Sequence, residues 1–183
     1  MDPFSSVHSA FDALKAPPST DLIGESLSEL SLASPIVARS SFVECRGRTE
    51  IQKFIESRGQ VPPQYLPFLS LRSAEQYEQD GTRLFLSECG RGGYGLSGDE
   101  LVSVFSQRGA KLGSHIAHDA IERGARRLDT LDVNGKVVRL YLQAGFREVQ
   151  RIPWNDAYAP TNWSYEMWGR PDLVLMRVPG VQI

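Results

Sequence analysis

The spacing of hydrophobic positions changes character partway along the chain. From Arg83 to Ser106 they come in short runs broken by glycine: RLFLSE over 83–88, Tyr94–Ser97, and Glu100–Ser106. Short runs rich in branched and aromatic side chains, punctuated by Gly, predict an antiparallel meander. The Gly90-Arg91-Gly92-Gly93 cluster reads as one hairpin turn and Gly98-Asp99 as the next.

Beyond Gln107 the period becomes helical and alternates with strands. A helix is expected over 113–123, a strand over 126–132, a helix over 134–144, a strand over 146–152 and a last strand over Leu173–Val178. Alternation of this kind implies right-handed crossovers and a parallel strand pair. Upstream, Ser41–Cys45 alternates as a strand does. Arg48–Arg58 places Ile51, Phe54 and Ile55 on one helical face. Gly59 ends that helix, and Pro62, Pro63 and Pro67 are expected to keep the next stretch from being helical. Ser73 with Gln76 three residues on predicts a capped turn or two of helix. The fold class is therefore α/β with a mixed sheet: an antiparallel meander first, a βαβα half afterwards.

Residues 1–40 break this regularity. The stretch 1–41 holds ten serines together with Pro3, Pro17, Pro18 and Pro35, with room for short helices at Val7–Ala16 and Leu22–Leu32. It reads as a partly ordered leader, and a delivery leader of a secreted effector is the alternative. Residues 41–183 then form a single domain.

Composition narrows the partners. The apolar and charged fractions, 41% and 23%, are those of an ordinary globular protein, and the formal net charge is −2. No bulk attraction to nucleic acid follows from such a balance. No apolar run is long enough to span a bilayer, and the N-terminus lacks the basic-then-apolar order of a secretory signal. A cytoplasmic location is expected, with secretion into a host cell as the alternative. Cys45 and Cys89 read as reduced thiols, and three histidines without zinc spacing give no basis for a metal centre.

Residues 153–170 carry all three tryptophans, Trp154, Trp163 and Trp168, with Tyr158 and Tyr165. A long aperiodic segment of this kind is either a packed aromatic cover or one wall of a substrate cleft. In the second case Trp154, Tyr158 and Trp163 would touch the acceptor.

The stretch with the most chemistry is 101–149. The strand LVSVFS runs into a small cationic loop, QRGAKLGS, and then into a helix. Unpaired amides and the positive end of a helix dipole make such a junction suited to an anion. The strand RRLDTLD follows, and then NGKVVRLYLQAGF. In this order and spacing the four pieces resemble the Gcn5-related N-acetyltransferase (GNAT) superfamily over roughly 83–178. The loop resembles that family's Gln/Arg-x-x-Gly-x-Gly/Ala phosphate loop. Asn134, Tyr141, Gly145 and Phe146 resemble its Asn…Leu-Tyr…Gly-Phe element. LD-x-x-D on the strand, with a Tyr/Trp-rich segment ending in Pro-Asp, is a narrower likeness to phage-associated members.

The resemblance implies a GNAT-like fold with a splayed parallel pair and acetyl-CoA as donor. The coenzyme would lie along Val104, Phe105 and Ser106, on the loop Arg108, Gly109, Ala110, Lys111, Leu112, Gly113 and Ser114, and against Asn134. Tyr141 would protonate the leaving thiolate. The acceptor would be an amine-bearing small molecule or protein, with a homodimer left open. Lys111 stands where the family has its middle glycine. It could contact phosphate, or its Cβ could restrict the turn, and a non-catalytic binding module is the alternative. For the base, Glu88, Asp99, Glu100, Asp129 and Asp132 lie on the central strands. Asp132 is preferred, then Glu88, although Asp132 could equally cap the helix after it. His115 and His118 read as surface residues. No cysteine falls where a covalent acetyl carrier would be needed, so direct transfer is expected.

Overall fold

The computed structural model describes residues 41–69 and 71–180. The leader expected over 1–40 lies outside the described residues. Seven strands form one mixed sheet: β1 Phe42–Glu44, β2 Arg83–Ser87, β3 Gly92–Ser97, β4 Glu100–Ser106, β5 Arg127–Leu131, β6 Arg147–Ile152 and β7 Leu173–Arg177. Their order across the sheet is β1-β2-β3-β4-β5-β7-β6. Helices α1 (Arg48–Gly59), α2 (Ala74–Gln79), α3 (Gly113–Glu122), α4 (Lys136–Ala144) and the single turn α5 (Tyr165–Trp168) complete it.

The sheet separates two cores. On one face α3 and α4 bury Ile116, Ala117, Ala120, Val137, Val138 and Tyr141 against Leu101, Val104, Leu128 and Val174. On the other, α1, α2 and a 3-10 helix pack Phe54, Tyr77 and Phe68 against Leu84, Phe105, Leu131 and Trp163. Alternation along β5 thus assigns Leu128 to the first face and Leu131 to the second, with Asp129 sharing the face of Leu131.

The meander and the expected helices are present, with four departures. The proline-rich stretch forms a 3-10 helix, Pro63–Phe68, because Pro63 stands at its start, where a missing N–H costs nothing. Gly92 and Gly93 belong to β3 rather than to the turn. A Cβ on Gly93 would lie 2.6 Å from the carbonyl oxygen of Phe85 and 2.9 Å from the ring of Phe54, so the strand needs glycine for close packing. Helix α4 begins at Lys136 instead of Asn134. Asn134 and Gly135 both have left-handed backbones, φ 60° and 71°, which no helix accommodates. Finally, β7 inserts between β5 and β6 and pairs antiparallel with both, leaving β6 at the sheet edge.

The predicted cap at Ser73 is a full capping box. Its hydroxyl accepts from the Gln76 amide at 3.3 Å, and its amide donates to the Gln76 side chain at 2.8 Å. This short helix places Tyr77 under the middle of β4.

Candidate active site

The parallel pair β4–β5 is joined at one register position, Glu100↔Arg127. The Arg126 amide, at 2.7 Å from the Asp99 carbonyl, closes the same end. No further rung joins the two strands among the described residues. The edge of β4 beyond Glu100 that is turned toward β5 is therefore free along Leu101–Ser106, while its other edge is paired with β3. Unpaired strand edges accept extended, amide-bearing ligands as an added strand.

A β-bulge sits in the middle of that free edge. Gly93 pairs with Phe105 and Gly95 with Val102, so Ser103 and Val104 together oppose Tyr94. Ser103 carries a left-handed φ of 51° and is buried. A β-branched neighbourhood does not favour such a backbone, and it is held from outside. The Tyr77 hydroxyl donates to Ser103 Oγ at 2.8 Å, and buried Arg58 donates to that same hydroxyl.

The loop after β4 is tied down at several points. The Gln107 amide donates to the Arg91 carbonyl at 2.7 Å, and the Ala110 amide to the Gln107 carbonyl at 2.9 Å. The Leu112 amide donates to Ser106 Oγ at 3.3 Å, and Gln107 Nε2 to the Ser57 carbonyl at 3.1 Å. Ile116 makes the first bond of α3, to the Leu112 carbonyl, so the amides of Gly113, Ser114 and His115 precede the helical ladder. Lys111 adopts φ 53°. Its Cβ has not prevented the turn.

Three cations surround these amides: Arg108 and Lys111 on the loop, and Arg91 from the β2–β3 turn. Arg91 Nη2 donates to the Arg108 carbonyl at 2.7 Å and lies 3.8 Å from where a Cβ on Gly109 would stand. Among the described residues none of the three has a carboxylate partner, whereas Arg123, Arg127, Arg151 and Arg170 each sit against an aspartate. Donors of this kind, exposed and uncompensated, suit phosphate. The residues present fit the pyrophosphate and amide arm of coenzyme A: backbone for the arm, loop amides and cations for the phosphates. The side chains of Val104 and Phe105 point into the two cores, so only their backbone could serve.

The acidic candidates separate clearly. Asp132 has both oxygens engaged: Oδ1 accepts from the Gly135 amide at 2.8 Å, and Oδ2 from Arg151 Nη1 at 2.7 Å. It anchors the turn into α4 and ties it to β6. Glu88 is exposed in the β2–β3 turn. Asp99 pairs with Arg127 at 2.9 Å, which holds its carboxyl below the usual carboxylate range. Asp129 differs from all of these. It is only 7% exposed, two residues past Arg127 at the junction of β4 and β5, and its Oδ1 accepts no hydrogen bond. Burial, with the charge of Glu100 second, pushes its pKa up to about 7. The sequence did carry one signal for it: an aspartate at an inward-facing position of a strand.

Tyr141 is buried on α4 in the α3/α4 core, its ring edge-on to Phe146 at 5.7 Å. Asn134 is exposed in the turn that Asp132 anchors. Trp154 and Trp163 pack together at 4.6 Å, and Trp163 stands edge-on to Phe68 at 4.9 Å. Tyr158 is 46% exposed. The aromatic segment does enclose a cavity of about 470 Å³ with the 3-10 helix, walled by Leu66, Pro67, Met167 and Trp168. Trp168 is thus the tryptophan on the cavity. No group of three or more potential metal ligands occurs among the described residues, and no helix there is long and apolar enough to cross a membrane.

No family model matches this sequence, and no curated protein matches it either. Similarity survives in the fold. A putative acetyltransferase from Acinetobacter baylyi is 18% identical, with 75% of this chain and 91% of that one superposed at a TM-score of 0.51. A spermidine N-acetyltransferase chimera from Vibrio cholerae and hSSAT is 14% identical, over 75% of this chain and 94% of that one, also at 0.51. The chain thus shares the mixed α/β fold of these acetyltransferases, and in it the parallel pair β4–β5 parts after its first rung.

Proposed function

We propose that this protein is an N-acetyltransferase that moves the acetyl group of acetyl-CoA onto an amine by direct attack within a ternary complex. The observation that carries the reading is the single-rung β4–β5 pair, with a free, bulged β4 edge running into a loop whose cations have no carboxylate partner among the described residues. The coenzyme supplies an activated acetyl thioester. The chain's own groups supply the rest. The amides of Gly113 and Ser114 at the start of α3, with Arg91, Arg108 and Lys111, hold the phosphates. The free edge of β4 aligns the arm and directs the acetyl carbonyl toward the junction with β5. Tyr141 is assigned the protonation of the leaving thiolate, a role that its exclusion from water favours.

The amine-bearing acceptor, a small molecule or a protein, would enter beside the aromatic segment. None of the side chains lining the 470 Å³ cavity there is ionisable, which suits an acceptor whose body is neutral. Neither cysteine favours a covalent acetyl carrier: Cys89 is on the β2–β3 turn, at the phosphate end of β4, and burial drives the Cys45 thiol up to about 11.

The test is binding followed by turnover. Acetyl-CoA at about a hundred times its Kd is expected to stabilise the fold by about 2.7 kcal/mol, a rise of several degrees in Tm. An unchanged Tm together with no heat on calorimetric titration would sink the reading in favour of a non-catalytic module.

A further inference from the structure

The proposed reaction requires a group that takes a proton from the acceptor, because an alkylammonium ion has no lone pair with which to attack. Neither carboxylate favoured from sequence is suited. Asp132 spends both oxygens on Gly135 and Arg151, and Glu88 is solvated in a turn away from the strand pair. We infer that Asp129 is the proton acceptor for the incoming amine. The inference rests on the acetyl-transfer reading above.

Three observations converge on Asp129. It lies just beyond the single rung Glu100↔Arg127, where β4 and β5 stop pairing and where a thioester laid along β4 would end. It shares its face of the sheet with Leu131, the face covered by α1, α2 and the 3-10 helix, opposite to the α3 and α4 side. Acceptor and coenzyme phosphates would therefore approach from different sides. Its Oδ1 is buried and accepts no hydrogen bond, which a folded protein tolerates at a cost unless a ligand completes it.

Its charged surroundings are few. From β4 it meets Glu100, from its own strand Arg127, and its partner on β7 is the apolar Leu175. On the covering side Arg58 and Tyr77 are engaged with each other and, through Tyr77, with Ser103. Burial first and Glu100 second raise its pKa, to about 7, while its own backbone amide and then Arg127 oppose them. The carboxyl is thus present in both forms near neutrality, as a proton relay must be.

The step balances as follows. Ionised Asp129 takes one proton from the ammonium, and the freed lone pair forms the N–C bond at the acetyl carbonyl. The C–S bond breaks, and its electron pair leaves on sulfur. The second proton lost by nitrogen ends on the thiolate. Asp129 then returns its own proton to water.

Asp129→Asn separates this role from a structural one. Two acceptors are compared at pH 7: n-butylamine, which is an ammonium ion there, and hydroxylamine, which is already neutral. Asp129→Asn is expected to lose about a hundredfold or more in kcat on n-butylamine and tenfold at most on hydroxylamine. Acetyl-CoA affinity stays unchanged, which also verifies that the variant is folded. In the wild type, kcat/KM on n-butylamine rises through an inflection near pH 7, and Glu100→Gln moves that inflection to lower pH. Equal losses on both acceptors, or no loss on either, would overturn the role of Asp129. A wild-type protein that binds no acetyl-CoA and acetylates neither amine would instead overturn the acetyltransferase reading itself.

Discussion

The place of Arg91 at the site, and the choice of Asp129 among five candidate carboxylates, rest on contacts that local pattern does not carry. Arg91 reads in sequence as one member of a glycine-rich turn. Only the fold brings its guanidinium to 2.7 Å from the Arg108 carbonyl, on a loop seventeen residues further along. Arg91→Gln is expected to weaken acetyl-CoA binding by roughly three- to tenfold, and the deficit should shrink at high salt, since an exposed charge contact is screened. Calorimetric titration at low and high ionic strength checks this; a loss that does not depend on salt would mean that Arg91 only braces the loop. Lys111 bears the other legible uncertainty. Read from sequence, its Cβ could have blocked the turn. The loop instead takes φ 53° at that residue, a left-handed backbone that costs about 1–2 kcal/mol in a non-glycine residue. That cost is tolerable because hydrogen bonds to Arg91, Ser57 and Ser106 hold the loop from neighbouring elements, and one from Ala110 to Gln107 closes it internally.

Elements were legible where their signals are local. The helix stops, the Ser73 capping box and the strands of the meander follow from propensity and turn chemistry, and all are present. Glycine was the exception, because a glycine that permits a turn and one that permits close packing look alike in sequence. Gly93 is the second kind. Gly93→Ala is expected to destabilise the protein by about 2–3 kcal/mol, since the new methyl would meet the Phe85 carbonyl and the Phe54 ring inside contact distance. A lower urea midpoint with an unchanged m-value checks it; a midpoint equal to wild type would show that β3 and α1 can move apart cheaply. The bulge at Ser103 had no local signal either. Its backbone is held by Tyr77 and Arg58, which lie on two different helices.

At the scale of the whole molecule, burying an aspartate at the strand junction links stability to pH. The folded state holds the Asp129 proton up to about pH 7, while the unfolded chain releases it near 3.8. Its contribution is therefore fully present below about pH 4 and is lost as pH rises through about 7. Asp129→Asn, which mimics the protonated form, should accordingly be more stable than wild type at pH 8, with the advantage shrinking toward pH 4. Thermal melts across that range check the sign, and an advantage confined to acid would refute it. A site that costs stability in this way is what function commonly requires.

The order and type of most elements, the cationic loop after β4 and the resemblance to the GNAT fold were legible in the sequence alone. Those properties are encoded over a few residues at a time, in periodicity, caps and turn formers. The fold then settles which carboxylate is spent on an ion pair and which is buried with one oxygen unbonded, which arginine joins the loop, and where β4 bulges. Each depends on contacts between segments far apart in the chain, and on desolvation, which exists only once the two cores have closed over the sheet.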